Sequence, residues 1–130
     1  RQEVEKNNAE NFEILLNLHR EKLRELLLDA TFYVHPQFSE HFGISIVEAM
    51  SAGCVPIVFK KGGGWEDVVK PIDLRLGYNN ISEIRNIISA LNTGCLLENI
   101  RNHIVAHVQK FKSSNFRMKF LNIVRGVYYA

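Results

Sequence analysis

Short apolar runs alternate with amphipathic stretches along this chain. Phe12–Leu18 (FEILLNL) is an apolar run and predicts a strand ending near Leu16. The next segment, Arg20–Ala30, sets Leu23, Leu26 and Leu27 at helical spacing. Thr31–Pro36 (TFYVHP) is β-branched and aromatic and stops at a proline, which predicts a second strand. Gly43–Gly53 predicts a helix closed by Gly53 in the left-handed conformation. Val55–Phe59 predicts a third strand, Lys60–Gly64 a loop, and Trp65–Val69 a short helical turn ended by Pro71. Leu74–Tyr78 predicts a weak fourth strand. Ser82 is the expected cap of a helix ending at Gly94, and two closing helices are expected over Leu96–Phe111 and Ser114–Tyr129. The polar segment Arg1–Asn11 reads as a linker.

Strands alternating with helices of about ten residues predict an α/β fold, a parallel sheet with helical crossovers. A chain of 130 residues with 46% hydrophobic content is expected to form a single domain around one core. In such sheets ligands bind beyond the carboxyl ends of the strands. That rule singles out the loops at 36–42 and 60–64.

Charge changes the picture in one respect. The net charge of +2 implies no nucleic-acid partner, but its distribution is uneven. From Asn99 onward there is no acid and there are six bases, leaving ten bases against 14 acids in the preceding residues. Two cysteines far apart, Cys54 and Cys95, form no disulfide framework or zinc pattern and fit a reducing compartment. Cys54, just after a helix-ending glycine, is expected to be a buried small hydrophobe. No apolar run approaches the ~20 residues needed to span a bilayer. The first residue is Arg1, which suits a piece of a longer protein.

The segment Ser39–Gly53 (SEHFGISIVEAMSAG) carries the candidate chemistry. A helix starting near Gly43 directs unpaired amides at the ligand crevice, a ready site for an anion. Gly43 lets a ligand approach the backbone closely. Glu48 lies about one turn into the helix, and helical side chains lean toward the N-terminus, back to that crevice. Glu40 lies in the preceding loop. Carboxylates accept several hydrogen bonds each and suit hydroxyl groups. A nucleotide sugar offers sugar hydroxyls, a diphosphate and a ribose diol. From spacing alone the plainer account stays open: Ser45, Glu48 and Ser51 as a solvated helix stripe, Glu40 as a surface acid, and Gly62–Gly64 with Lys60 and Lys61 as a flexible turn.

Taken together, Ser39–Val69 resembles the donor-binding core of family 4 glycosyltransferases with the GT-B fold. The family's E-x7-E motif matches Glu40 to Glu48 with Phe42-Gly43 inside it, and its E-A-M-A-x-G helix matches Glu48–Gly53. Its G-G-x-x-E-x-V loop matches Gly62–Val68. The resemblance covers about Phe12 to Leu91 and implies a partial Rossmann-like, three-layer domain, the C-terminal half of a GT-B domain. It implies retaining transfer from a nucleoside-diphosphate sugar, with no cofactor and no metal bound at a DxD motif. By the same resemblance Glu40 is the catalytic candidate beside the sugar hydroxyls, and Glu48 holds the ribose diol. Phe42, Gly43 and Ile44 supply backbone close to the sugar and diphosphate, and Gly62 and Gly63 line the opposite wall. The wording EHFGI followed by VE is nearest to mannosyltransferases that extend lipid-linked oligosaccharides, which favours GDP-mannose.

Departures limit the match. His35-Pro36-Gln37 replaces the usual proline-serine strand end, and Trp65 stands where the family often has proline. The family's phosphate-gripping Arg and Lys and its N-terminal acceptor domain lie upstream of anything here, so the fragment is expected to be inactive alone. The acceptor, a glycan or lipid-linked glycan, would be held by that further domain. The segment matching the family's edge strand, Phe12–Leu16, must pair with Thr31–His35, swap, or leave an edge open to homodimers. Cytoplasmic location is the matching expectation; the basic helices read as a solvated face, or as a peripheral contact with anionic lipid. Two other readings remain: a non-catalytic nucleotide-binding module, and a membrane- or partner-interaction module. His103 and His107 are four apart on a helix without a third ligand and read as a surface pair. Phe116, Phe120, Ile123, Val124, Val127, Tyr128 and Tyr129 form an apolar stripe expected to pack in the core.

Overall fold

The computed structural model describes residues 11–38 and 40–129, apart from the side chains of Phe116 and residues 127–129. Its centre is a three-stranded parallel sheet. Strand β1 (Phe32–His35) pairs with β2 (Val55–Phe59) from Phe32↔Val55 to His35↔Val58. On its other side β2 pairs with β3 (Gly77–Tyr78) through Val58↔Gly77 and Phe59↔Tyr78. The spatial order is β1-β2-β3. The middle strand is buried from Val55 to Val58, as an apolar run covered on both faces must be.

Helix α1 (Arg20–Asp29) leads into β1, and α2 (Ile44–Ser51) crosses from β1 to β2. Ile46, Ala49 and Met50 of α2 are buried, at the spacing that puts one face of a helix on a sheet. The crossover closes at Gly53, whose φ of 95° is the left-handed conformation expected of it. The Gly53 amide donates to the Met50 carbonyl and the Cys54 amide to the Ala49 carbonyl, both at 3.0 Å, which satisfies the last carbonyls of the helix. Cys54 is fully buried, as expected, with Sγ 3.0 Å from the Leu27 carbonyl; burial pushes its thiol pKa up. Beyond β3 come α3 (Ile84–Leu91), α4 (Gly94–Val108) and α5 (Ser113–Tyr129). Helix α4 packs on α2 and adds Ile100, Ile104 and Val108 to the core.

The α/β architecture with parallel strands and helical crossovers is as expected. Several local expectations are corrected. Phe12–Leu16 forms no strand; it has no regular secondary structure, with Leu16 78% exposed, because a strand exists only within a ladder and no ladder partner lies beside it among the described residues. Of the open outcomes for the sheet, β1 is left as an outer strand among the described residues. Leu74–Tyr78 is extended only at Gly77–Tyr78. The Asp73 carboxylate accepts from the Arg75 amide at 2.8 Å and turns Leu74–Leu76 into a 3₁₀ turn. The cap before α3 is Asn80, which accepts from the Ser82 amide at 3.1 Å, so Ser82 donates where it was expected to accept. Gly94 opens α4 and does not end α3. Of the expected apolar stripe, Phe120 and Ile123 are exposed and Val124 is half-buried, not core; the side chains of Phe116, Val127, Tyr128 and Tyr129 lie outside the described residues. His107 is buried while His103 is exposed, so the two are no surface pair. The linker reading of Arg1–Asn11 lies outside the described residues but for Asn11.

Candidate functional site

The site is assembled where β1 and β2 end. After His35 the chain leaves the sheet at Pro36 and returns to form a bridge between Glu40 and Gly62, just beyond β2. The Gly64 amide donates to the Glu40 carbonyl at 3.4 Å. Two loops far apart in sequence are thereby joined into one wall. Only glycine fits there: a Cβ on Gly62 would lie 2.3 Å from the Glu40 carbonyl oxygen, and one on Gly63 would lie 1.7 Å from that of His41. Gly62 also has φ 82°. The glycine run is therefore packed backbone, not a loose turn. Trp65 follows in a π-helical turn, Gly64–Val69. It is buried against Gly77, where a Cβ would come within 2.5 Å of its ring, and the Lys60 ammonium sits 5.9 Å above its face.

Gly43 is the N-cap of α2, at φ 85°, with no side chain capping the helix. Ile44 and Ser45 thus open a helix whose first amides are left for other acceptors. Ile44 and Phe42 are exposed beside that opening. Phe42 is not loose, however. Its ring meets Phe111 edge-on at 5.5 Å, and Phe111 meets His107 at 5.3 Å. The end of α4 therefore props the site loop from behind. Burial, then Lys110, holds the His107 ring below its usual pKa. The carbonyls of Val68 and Asp67 act in the other direction, although Nε2 has no hydrogen-bond partner among the described residues.

The two acids face different neighbours. Glu40 Oε2 lies 3.2 Å from His35 Nε2, against the end of the sheet. Glu48 Oε1 lies 3.5 Å from Arg20 Nη2, an exposed pair worth little by itself. A groove of about 580 Å³ opens between α1 and α2, lined by Arg20, Leu23, Phe42, Ile44, Glu48 and Phe111 among others. The structure thus brings Glu40, Gly62, Gly63 and the Gly43 cap together, and sets Glu48 on the adjoining side of α2. Sequence reasoning missed four residues of this neighbourhood: His35 had been noted only as a departure, and Tyr33, Arg20 and Phe111 gave no signal. The arrangement offers carboxylates for hydroxyls on either side of a helix start suited to a phosphate.

Known proteins with similar sequences bear on this geometry. A family model described as "Glycosyl transferases group 1" matches residues 2–101. A "GDP-Man:Man(3)GlcNAc(2)-PP-Dol alpha-1,2-mannosyltransferase" of Dictyostelium discoideum is 28% identical over 122 residues, covering 93% of this chain and 24% of the relative. The mouse protein of the same name is 33% identical over 119 residues, covering 86% and 24%, and the human one 29% over 125 residues, covering 92% and 25%. The chain spans about a quarter of the length of these relatives.

Proposed function

Because the chain belongs to the group 1 glycosyl transferases, we propose that it is the donor-binding part of an enzyme that moves mannose from GDP-mannose to a lipid-linked glycan. The observation that carries this reading is the Glu40–Gly62 bridge at the mouth of α2, which puts a carboxylate, packed glycine backbone and a helix start around one opening. Glu40 is assigned to the hydroxyls of the transferred sugar and Glu48 to the ribose diol. The amides at Gly43 and Ile44 are assigned to the diphosphate, with Gly62 and Gly63 as the far wall. The mannosyltransferase names of the relatives support the choice of GDP-mannose. The reading assigns no metal ion, the unpaired amides at the start of α2 being suited to the diphosphate. The glycan acceptor falls to a further domain. The expected location is cytoplasmic, at a membrane face, where the lipid-linked acceptor is reached; no described helix is long and apolar enough to cross the bilayer.

The test is an amide-shift NMR titration of this chain with GDP-mannose, UDP-glucose and GDP. Saturable shifts at Gly43–Glu48 and Gly62–Glu66, strongest with GDP-mannose, are expected. Stronger response to UDP-glucose would reassign the base. Shifts confined to other regions would remove the donor-site reading. The outer edge of β1 also leads us to expect dimers at high concentration, which light scattering reads directly.

A further inference from the structure

His35 ends β1 and is 7% exposed, yet both its ring nitrogens face polar atoms. Nδ1 lies 3.3 Å from the Tyr33 hydroxyl and Nε2 lies 3.2 Å from Glu40 Oε2. The His35 carbonyl accepts from the buried Tyr78 hydroxyl at 3.0 Å, so the backbone carrying the ring is held as well. Three elements, β1, β3 and the loop before α2, therefore converge on one residue: Tyr33 and Glu40 on its ring, Tyr78 on its carbonyl.

We propose that His35 is a positioning residue for Glu40, held in its Nε2–H tautomer by the Tyr33 hydroxyl. The reasoning follows from donor and acceptor counts. A carboxylate accepts and cannot donate, so Nε2 must carry the hydrogen that faces Glu40. In the neutral ring Nδ1 is then an acceptor, and the Tyr33 hydroxyl is the donor that matches it. The chain of bonds runs one way, from Tyr33 through His35 to Glu40. It occupies Oε2 and leaves Oε1 of the same carboxylate for a ligand hydroxyl. With the Glu40 main chain held by Gly62 and Gly64, its side-chain torsions remain, and the contact with His35 restrains them. The proposal rests on the donor-site reading of Glu40 for its consequence, but not for its geometry.

Two measurements on this chain separate those levels. The first is long-range ¹H–¹⁵N NMR of the imidazole rings, without ligand. Protonated Nε2 and bare Nδ1 are expected for His35, with mixed tautomers in Tyr33→Phe. A protonated Nδ1 facing Tyr33 in the wild type would overturn the proposal. The second is donor affinity across wild type, His35→Leu, His35→Gln, Glu40→Gln and the His35→Leu/Glu40→Gln double variant. His35→Leu should weaken GDP-mannose about tenfold, the scale of a hydrogen bond to a charged group, and leave GDP unchanged. His35→Gln, which keeps a donor, should recover most of the loss. In the Glu40→Gln background His35→Leu should cost nothing more. Additive losses, or an equal loss for GDP, would mean that His35 is only a structural residue. If the wild type binds neither ligand, the tautomer measurement alone decides the relay.

Discussion

Helices α1 and α2 flank the same strand, one leading into β1 and one leaving it, and they are held very differently. Helix α2 buries Ile46, Ala49 and Met50. Helix α1 buries no residue, although it carries four leucines, and Leu23, Leu26 and Leu28 are exposed. Apolar content does not explain the contrast. Helix α2 lies between two paired strands and under α4, so its apolar face meets a surface on two sides. Helix α1 adjoins an outer strand, where the sheet stops. A helical pattern states which face is able to be buried; burial itself depends on what the sheet presents to it. The difference matters for the site, because Glu48 is mounted on the firm helix and its partner Arg20 on the loose one.

The contrast can be broken most severely in the core. Met50→Ala should cost about 2–5 kcal/mol of stability, whereas Leu28→Ala should stay within roughly 0.5 kcal/mol. Urea denaturation of the two variants side by side tests this, and equal losses would mean that α1 is as well anchored as α2. Next in size is Gly63→Ala, where the added methyl would meet the His41 carbonyl. A loss of roughly 1–3 kcal/mol is expected, with amide-shift changes spreading from 60–64 into 40–43. Changes confined to 60–64 would mean that the two loops are not joined in solution.

A smaller effect concerns the prop behind Phe42. The folded-state pKa of His107 is lowered, so below about pH 6.5 the unfolded chain takes up more protons than the folded one. Stability from this residue is complete above that pH and is lost as pH falls toward the lower folded value. The urea midpoint of wild type should therefore drop more than that of His107→Gln on acidification. Parallel curves would show that His107 is not held neutral. The smallest effect is expected for Arg20→Ala, whose side chain is 90% exposed; its cost to stability should be at most about 0.5 kcal/mol.

Much of the backbone around the candidate site was legible in the sequence, because its signals are local. The spacing from Glu40 to Glu48, the cap at Gly43, the left-handed Gly53 and the glycines at 62–64 each report a backbone requirement within a few residues. The strands Thr31–Pro36 and Val55–Phe59 were readable for the same reason. What failed depended on distant partners. Phe12–Leu16 has the composition of a strand and no neighbour to pair with. His107 was read from its spacing to His103, while its burial comes from Phe111 and the turn after Gly64. The role of His35 needs Tyr33, Glu40 and Tyr78 at once, and only the fold brings these together. Asn80 takes the cap in place of Ser82 because its side chain reaches the amide two residues on, that of Ser82 itself.

Glu40, Gly62–Gly64 and the start of α2 meet in one wall, and the proposed function has that wall receive the donor. Amide hydrogen exchange with and without GDP-mannose tests it most directly. Coupled slowing at Gly43–Glu48 and Gly62–Glu66, with none in Ser113–Tyr129, is the expected result. Unchanged exchange at both site segments under millimolar donor, or slowing confined to α5, would contradict it.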